Sequence, residues 1–414
     1  MRSQTPGKKY ELKNLPLPVL FLGIQYICLN LGQAFHLGPI NLSWFSTILL
    51  VGGYFYCNHG IIRLPSNRVI RNICFVFLLW AVYAWLQVFF VKDFGLFVSF
   101  YVILITNIIT ILMTLLLINS KEAFFYALNA FAFSFVLNVL AAGIEFFTGK
   151  HFVQYNTSYR NEVVGFIGNY NDFCTFLFLG IVVLFICFFY TDRKSLKIFY
   201  FLCISASVFF IFFNGARGAI YSLYVLLLFW ILLLLLRKIY KKEKKYNRAL
   251  LIFSIIVLIF ASIWIYKFGF YRALALLDNS GGGDIRSDQS RVILIKSGME
   301  KMIQSFGFGI GAGQSVLLYG INLHNFYAEI FSEYGVGFGL FSVYLSFIVF
   351  VRKRNHINQK IDSLIQAAGF AFLIANVTSS SVNKMRALWI YLMIVVLIKE
   401  TSLVSEENYI GMGL

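Results

Sequence analysis

Residues 172–190 read DFCTFLFLGIVVLFICFFY, residues 198–214 read IFYFLCISASVFFIFFN and residues 219–236 read AIYSLYVLLLFWILLLLL. The first two runs are separated by a basic link carrying Arg193, Lys194 and Lys197, and the third is followed by RKIYKKEKKYNR, Arg237 to Arg248. Between the second and third stands only the short turn NGARG at 214–218. A helix needs about 20 apolar residues to cross the hydrocarbon core of a bilayer. Runs of that length, alternating with basic links on one side and a tight small-residue turn on the other, read as membrane helices crossing back and forth.

The same pattern extends in both directions. It predicts an all-α, polytopic integral membrane protein with about twelve spans, at 15–35, 41–61, 73–91, 96–118, 123–147, 172–190, 198–214, 219–236, 249–268, 323–351, 362–379 and 387–400. Hydrophobic residues make up 59% of the 414, more than a soluble core requires. One membrane-embedded domain over 1–414 is the simplest organisation. The polar N-terminal tail (Arg2, Lys8, Lys9, Lys13) runs into the first span with no small-residue cleavage site, so it reads as preceding a retained helix. The formal net charge is +17, but the cations lie between apolar runs and form no groove. That pattern argues against nucleic acid and for membrane lipids and lipid-linked phosphates as counter-charges. Six cysteines, all in or beside apolar runs and without CxxC spacing, imply neither disulfides nor zinc.

Basic clusters at Arg63/Arg68/Arg71, Arg193–Lys197, Arg237–Arg248 and Arg352–Lys360 fall on the same face as the N-terminal tail. The positive-inside rule makes that face cytoplasmic, with both termini inside. Two connections on the other face, 148–171 and 269–322, are longer than linking two helices requires, and long loops tend to carry function. The second lies between spans 9 and 10. It opens with Ser280–Gly283 as a hinge and continues with a helix-like stretch from Asp288 to Ser305.

Candidate functional residues gather on that outer face. Arg217, in NGARGA, lies among small neighbours; it either snorkels and caps carbonyls, or holds a phosphate with its planar fork. Arg160 either pairs with Glu162 or another loop carboxylate, or contacts substrate. Asn169, Asn171 and Asp172 lead into a span, where Asn171 or Asp172 suits an N-cap. Arg291 stands in the helix-like stretch. Beyond it, FGFGIGAG at 306–313 fits no nucleotide-loop spacing and reads as a flexible return to the membrane. His324, at the start of the tenth span, is either structural or a proton carrier. Asn325, Glu329 and Glu333 follow it at spacings of four and share one helix face. No outward DxD, HExxH or serine elbow is present.

GxxGNYN with Asn169 and Asn171, NGARGA with Arg217, and Arg291 followed by FGFGIGAG and LHNFYAEIFSEYGVGFG together resemble the O-antigen ligase and O-antigen polymerase superfamily of membrane glycosyltransferases, across residues 155–351. The resemblance implies a GT-C-like helical fold in the bacterial plasma (inner) membrane, with an extracytoplasmic site to which 269–322 contributes. It implies a metal-independent enzyme with no cofactor. Such an enzyme transfers an undecaprenyl-diphosphate-linked glycan to a glycan or lipid-linked acceptor. Arg217, Arg291 and His324 would then be catalytic, while Arg160, Asn169, Asn171, Asn325 and Glu329 would contact substrate. A polysaccharide polymerase, working with a chain-length regulator, is favoured over a ligase acting on lipid A-core or another surface acceptor. A lipid-linked oligosaccharide flippase is the reading from another class, but the outer-rim charges and the lack of repeated halves argue against it. The aromatic residue expected soon after the loop arginine is missing; Val292, Ile293 and Leu294 stand there.

Overall fold

The computed structural model describes residues 15–31, 36–37, 40–153, 162–241, 248–270, 283–320, 323, 325–351, 358–378 and 386–401. Each of the twelve apolar segments expected from the sequence is a helix. The first five are α1 (Leu17–Leu31), α2 (Leu42–Cys57), α3 (Arg68–Leu86), α4 (Phe94–Leu117) and α5 (Lys121–Thr148). They are followed by α6 (Tyr170–Tyr190), α7 (Lys194–Phe213), α8 (Arg217–Lys241) and α9 (Arg248–Trp264). The connection after α9 holds two further helices, α10 (Gly283–Gln304) and the short α11 (Gln314–Tyr319). The chain then continues through α12 (Phe326–Val351), α13 (Gln359–Thr378) and α14 (Arg386–Glu400). The one strand pair among the described residues is a two-residue ribbon, His36–Leu37 with Ile40–Asn41, between α1 and α2.

Seven of these helices are long and apolar enough to cross a membrane by length and composition: α3, α4, α5, α6, α7, α8 and α12. α1 and α2 are apolar but shorter. Helix starts follow local chemistry. Asn41, Asn67, Asp93 and Ser120 each accept an N–H from the first turn of the helix they precede, satisfying donors that have no partner inside the helix. α5 stops at Gly149, whose φ of 68° only glycine adopts at little cost.

α6 is the axis of the bundle. In its apolar window 94% of residues are buried, and α5, α7, α8, α13 and α14 pack around it. The outward faces of the peripheral helices carry large apolar side chains such as Ile48, Phe75, Leu202 and Phe260, as a bilayer rather than water requires. Buried polar bonds tie α1 to its neighbours. Gln25 donates to Thr47 (2.8 Å) and Thr110 (3.1 Å), Asn30 donates to Ser134 (2.7 Å), and Tyr26 meets Thr114 at 2.7 Å. Such bonds hold helices together where hydrophobic burial gives no preference for neighbour over lipid.

The bundle has two unlike ends. At the basic end, Asn67 donates to the Glu400 carbonyl (2.8 Å), and Lys399 pairs with Asp362 (3.8 Å), both buried. The other, loop end collects both long connections, the starts of α6, α8 and α12, and the turn from α3 to α4.

Candidate functional site

The first long connection is held by side chains reaching up from the helices. Glu145, in the last turn of α5, is buried. Its Oε2 accepts the N–H groups of Val164 and Gly165 (2.8 Å each), and its Oε1 accepts that of Phe152 (3.1 Å). His151 Nδ1 lies 3.6 Å from the same Oε1. Asn138 Oδ1 accepts from Phe166 N (3.2 Å). Asn214, just past α7, brackets Val163 on both sides: its Oδ1 accepts the N–H (3.0 Å) and its Nδ2 donates to the carbonyl (2.7 Å). An ionised carboxylate taking several backbone donors is a strong anchor.

The chain leaves this clamp into Asn169. The helix cap falls on Asn169, not on Asn171 or Asp172 as the sequence pattern suggested. Its Oδ1 accepts from Asn171 N (2.9 Å) and Asp172 N (3.2 Å). An asparagine can fill this position as well as an aspartate, and the glycine before it sets the turn. Asn171 sits in the first turn of α6. Arg160 lies outside the described residues. Arg217 opens α8 two residues past Gly215 (φ 62°), half-buried and engaged within the chain. The Asn214 clamp therefore fixes Arg217 and the approach to α6 together.

The second connection is fastened backbone to backbone. α12 breaks at Gly335 (φ 84°, ψ −179°), freeing carbonyls that an unbroken helix would consume. Residues 307–311 lie against the break. Ile310 N donates to Ser332 O (2.9 Å), Gly311 N to Glu333 O (3.0 Å) and Val336 N to Gly307 O (2.9 Å). The approach leaves no room for side chains. A Cβ on Gly309 would lie 2.5 Å from the Glu333 carbonyl oxygen, and one on Gly335 would lie 2.3 Å from that of Gly307. The glycine run expected to be a flexible return is thus a fitted strap; alternating glycines serve close backbone contact at positive φ.

α3 and α4 lock the strap from outside. Gln87 Nε2 donates to both Phe308 O (3.0 Å) and Glu333 O (2.9 Å), and the Tyr83 hydroxyl also donates to Phe308 O. Gln314 Oε1 accepts from Lys92 N (3.0 Å) and Asp93 N (3.3 Å), while its Nε2 donates to Asp93 O (3.1 Å). Ser315 donates to Glu333 Oε1 at 2.5 Å.

α10 packs along α12; it begins at Gly283 and so takes in the last of the hinge glycines. Gly298 lies on Leu323 and Ser332, so close that a Cβ there would meet Leu323 Cδ1 at 2.7 Å. Arg291 is seven residues earlier, hence on the same face and about 10 Å along the axis. It is half-buried and engaged. His324 lies outside the described residues, but its neighbours Leu323 and Asn325 are both buried. Asn325 caps α12: its Oδ1 accepts from Ala328 N (2.9 Å) and its carbonyl from Glu329 N (3.0 Å). Glu329 and Glu333 are fully buried in the bundle.

Several residues central to this end went unnoticed in the sequence: Glu145, Asn138, Gln87, Gln314 and Arg386. Arg386 opens α14 on the face where cations are rare and donates to Ser43 Oγ (3.3 Å). Isolated polar residues near the ends of apolar runs were the available signal. Among the described residues no group of three His, Cys, Asp or Glu side chains is arranged to hold a metal ion.

The O-antigen ligase family model matches residues 201–344, from α7 to α12. Over those residues the chain is similar to the O-antigen ligase family. The matched region takes in Arg217, Arg291, the glycine strap and His324. The teichuronic acid biosynthesis protein TuaE of Bacillus subtilis (strain 168) is 23% identical over 426 residues, covering 91% of this chain and 84% of TuaE. No solved structure matches the chain. These similarities agree with the resemblance to membrane glycosyltransferases read from the sequence.

Proposed function

We propose that this protein transfers an undecaprenyl-diphosphate-linked glycan to an acceptor at the outer face of the bacterial inner membrane, extending a cell-envelope polysaccharide as a polymerase. The observation that carries the reading is the mounting of α10. Within the family-matched region, the helix bearing Arg291 packs at Gly298 against Leu323 and Ser332, and Leu323 precedes His324 in the sequence. A cationic helix is thereby held at the loop end of the bundle, and we assign His324 to work with it.

The residue types suit the chemistry. Breaking the anomeric C–O bond to a diphosphate leaves negative charge on the departing group. Arg217 and Arg291 bind and neutralise that charge, and guanidinium forks match phosphate oxygens better than ammonium groups do. In a site shielded from water each such contact contributes about 2–4 kcal/mol to the transition state. His324 accepts the proton of the attacking hydroxyl as the new glycosidic bond forms, worth about 10²–10⁴ in rate. Arg160 and Asn169 on the first connection, with Asn171 in the first turn of α6 and Asn325 capping α12, orient the donor and the acceptor, and the buried Glu329 supports them from within α12. Tethering the donor in the membrane pre-orients it. The chemistry assigned here uses no metal or cofactor, and a chain-length regulator is its expected protein partner. TuaE's name attaches it to teichuronic acid biosynthesis, which supports a role in building a cell-envelope glycan.

The test is purified protein in nanodiscs supplied with a lipid-diphosphate-linked repeat unit. Lengthening of the lipid-linked chain is the expected outcome. Transfer only to a separate acceptor would make the protein a ligase. Movement of the lipid between leaflets without a new covalent bond would overturn the enzyme reading in favour of a flippase.

A further inference from the structure

Beside the strap lies a recess of about 260 Å³. Its walls include Phe90, Lys92, Lys301, Gln304, Leu317 and Leu318, and no carboxylate is among its lining residues. Its floor is the strap itself, at Gly309, Ile310 and Gln314. The floor is rigid for the reasons already given: Gln314 bonds the backbone of Lys92 and Asp93, and Ile310 bonds the α12 carbonyl of Ser332. Lys301 Nζ donates to Gln304 Oε1 (2.7 Å), and both residues line the recess. Phe90 is 82% exposed, an aromatic face left open next to two cations.

We propose that this recess is a subsite for an anionic sugar, one bearing a carboxylate or a phosphate, within the glycan being transferred. The inference deepens the proposed function and rests on it. Three features point to a sugar. An open aromatic ring accommodates the apolar C–H face of a pyranose. Two ammonium groups without a lining carboxylate favour a negative substituent, and the Gln304 amide offers hydrogen bonding to hydroxyls. The volume falls just below the range of about 300–1,000 Å³ typical of drug-sized ligands, which suits a single ring. Lys301 is ten residues beyond Arg291 on α10, about 15 Å along the helix axis. The subsite therefore reads a residue inside the chain, away from the reacting end. It would set which glycan the enzyme accepts, without taking part in bond breaking.

The test is a binding measurement on the full-length protein in phosphatidylcholine nanodiscs, with trigalacturonate as the acidic probe and maltotriose as its neutral counterpart. Trigalacturonate should bind about tenfold or more tightly than maltotriose. Lys92→Gln combined with Lys301→Gln should abolish that preference, while Phe90→Ala should weaken both sugars. Equal affinity for the two sugars, or a preference that survives the double substitution, overturns the inference. Displacement of trigalacturonate by glycerol phosphate at equal concentration would assign the recess to a lipid headgroup and overturn it too. These readouts do not depend on turnover. A protein that transfers glycan but shows no lysine-dependent preference sinks the subsite alone. A wild-type protein with no transfer removes the function beneath it, whatever it binds.

Discussion

The two long connections at the loop end are fastened by opposite means. The first, ending at Asn169, is gripped by side chains: Glu145, Asn138 and Asn214 each reach across to backbone groups of residues 163–166. The second is fastened main chain to main chain where residues 307–311 meet the break in α12, with Gln87 and Tyr83 locking it from outside. A side-chain clamp can be weakened one bond at a time. At Gly309 or Gly335 the main-chain clamp fails at the first methyl group introduced, because the clash there is with backbone and not with a movable side chain. Arg217 depends on the first device and the helix of Arg291 leads into the second, so the contrast separates two kinds of sensitivity.

His324→Ala gives the largest effect on turnover, a loss of about 10²–10⁴-fold, with the unfolding temperature unchanged. Full transfer by this variant would remove the histidine from the mechanism. Gly335→Ala should cost about 3 kcal/mol or more of stability, since it combines a strained φ with a 2.3 Å contact to the Gly307 carbonyl oxygen. Thermal unfolding in detergent reads it out, and a wild-type midpoint would show the strap to be loose. Arg217→Lys should lower transfer by about 10²–10³-fold, because an ammonium cannot replace the fork. Normal kinetics would leave this arginine a structural role only. Glu145→Gln keeps one acceptor and should lose about 1–2 kcal/mol, less than the glycine substitution. If it proves the more damaging of the two, the ranking of main-chain over side-chain fastening is wrong. EDTA should leave transfer unchanged; inhibition reversed by an added divalent ion would contradict chemistry run on arginine and histidine.

The helices were legible because apolar length is a direct physical requirement of the bilayer, and each of the twelve expected segments is helical. Their ends shifted by a few residues where caps decided them, as at Asn169. The strap was not legible. Gly307 to Gly313 look the same in sequence whether they swing freely or fit against another backbone, because the partner, Gly335, stands more than twenty residues away and marks a break in a helix whose composition gives no warning. Glu145 was missed for a related reason. A single acid near the end of an apolar run gives no hint that three amides from a later loop will converge on it. The arginines stood out because cations on that face contradict the charge rule.

The pairing of residues 307–311 with 332–336 has an evolutionary corollary. Its bonds set a fixed register, so inserting or deleting one residue inside either segment would slide every donor past its carbonyl. Relatives are expected to vary the length of this connection ahead of Gly283 and to keep the spacing from Gly307 to Gly313 constant.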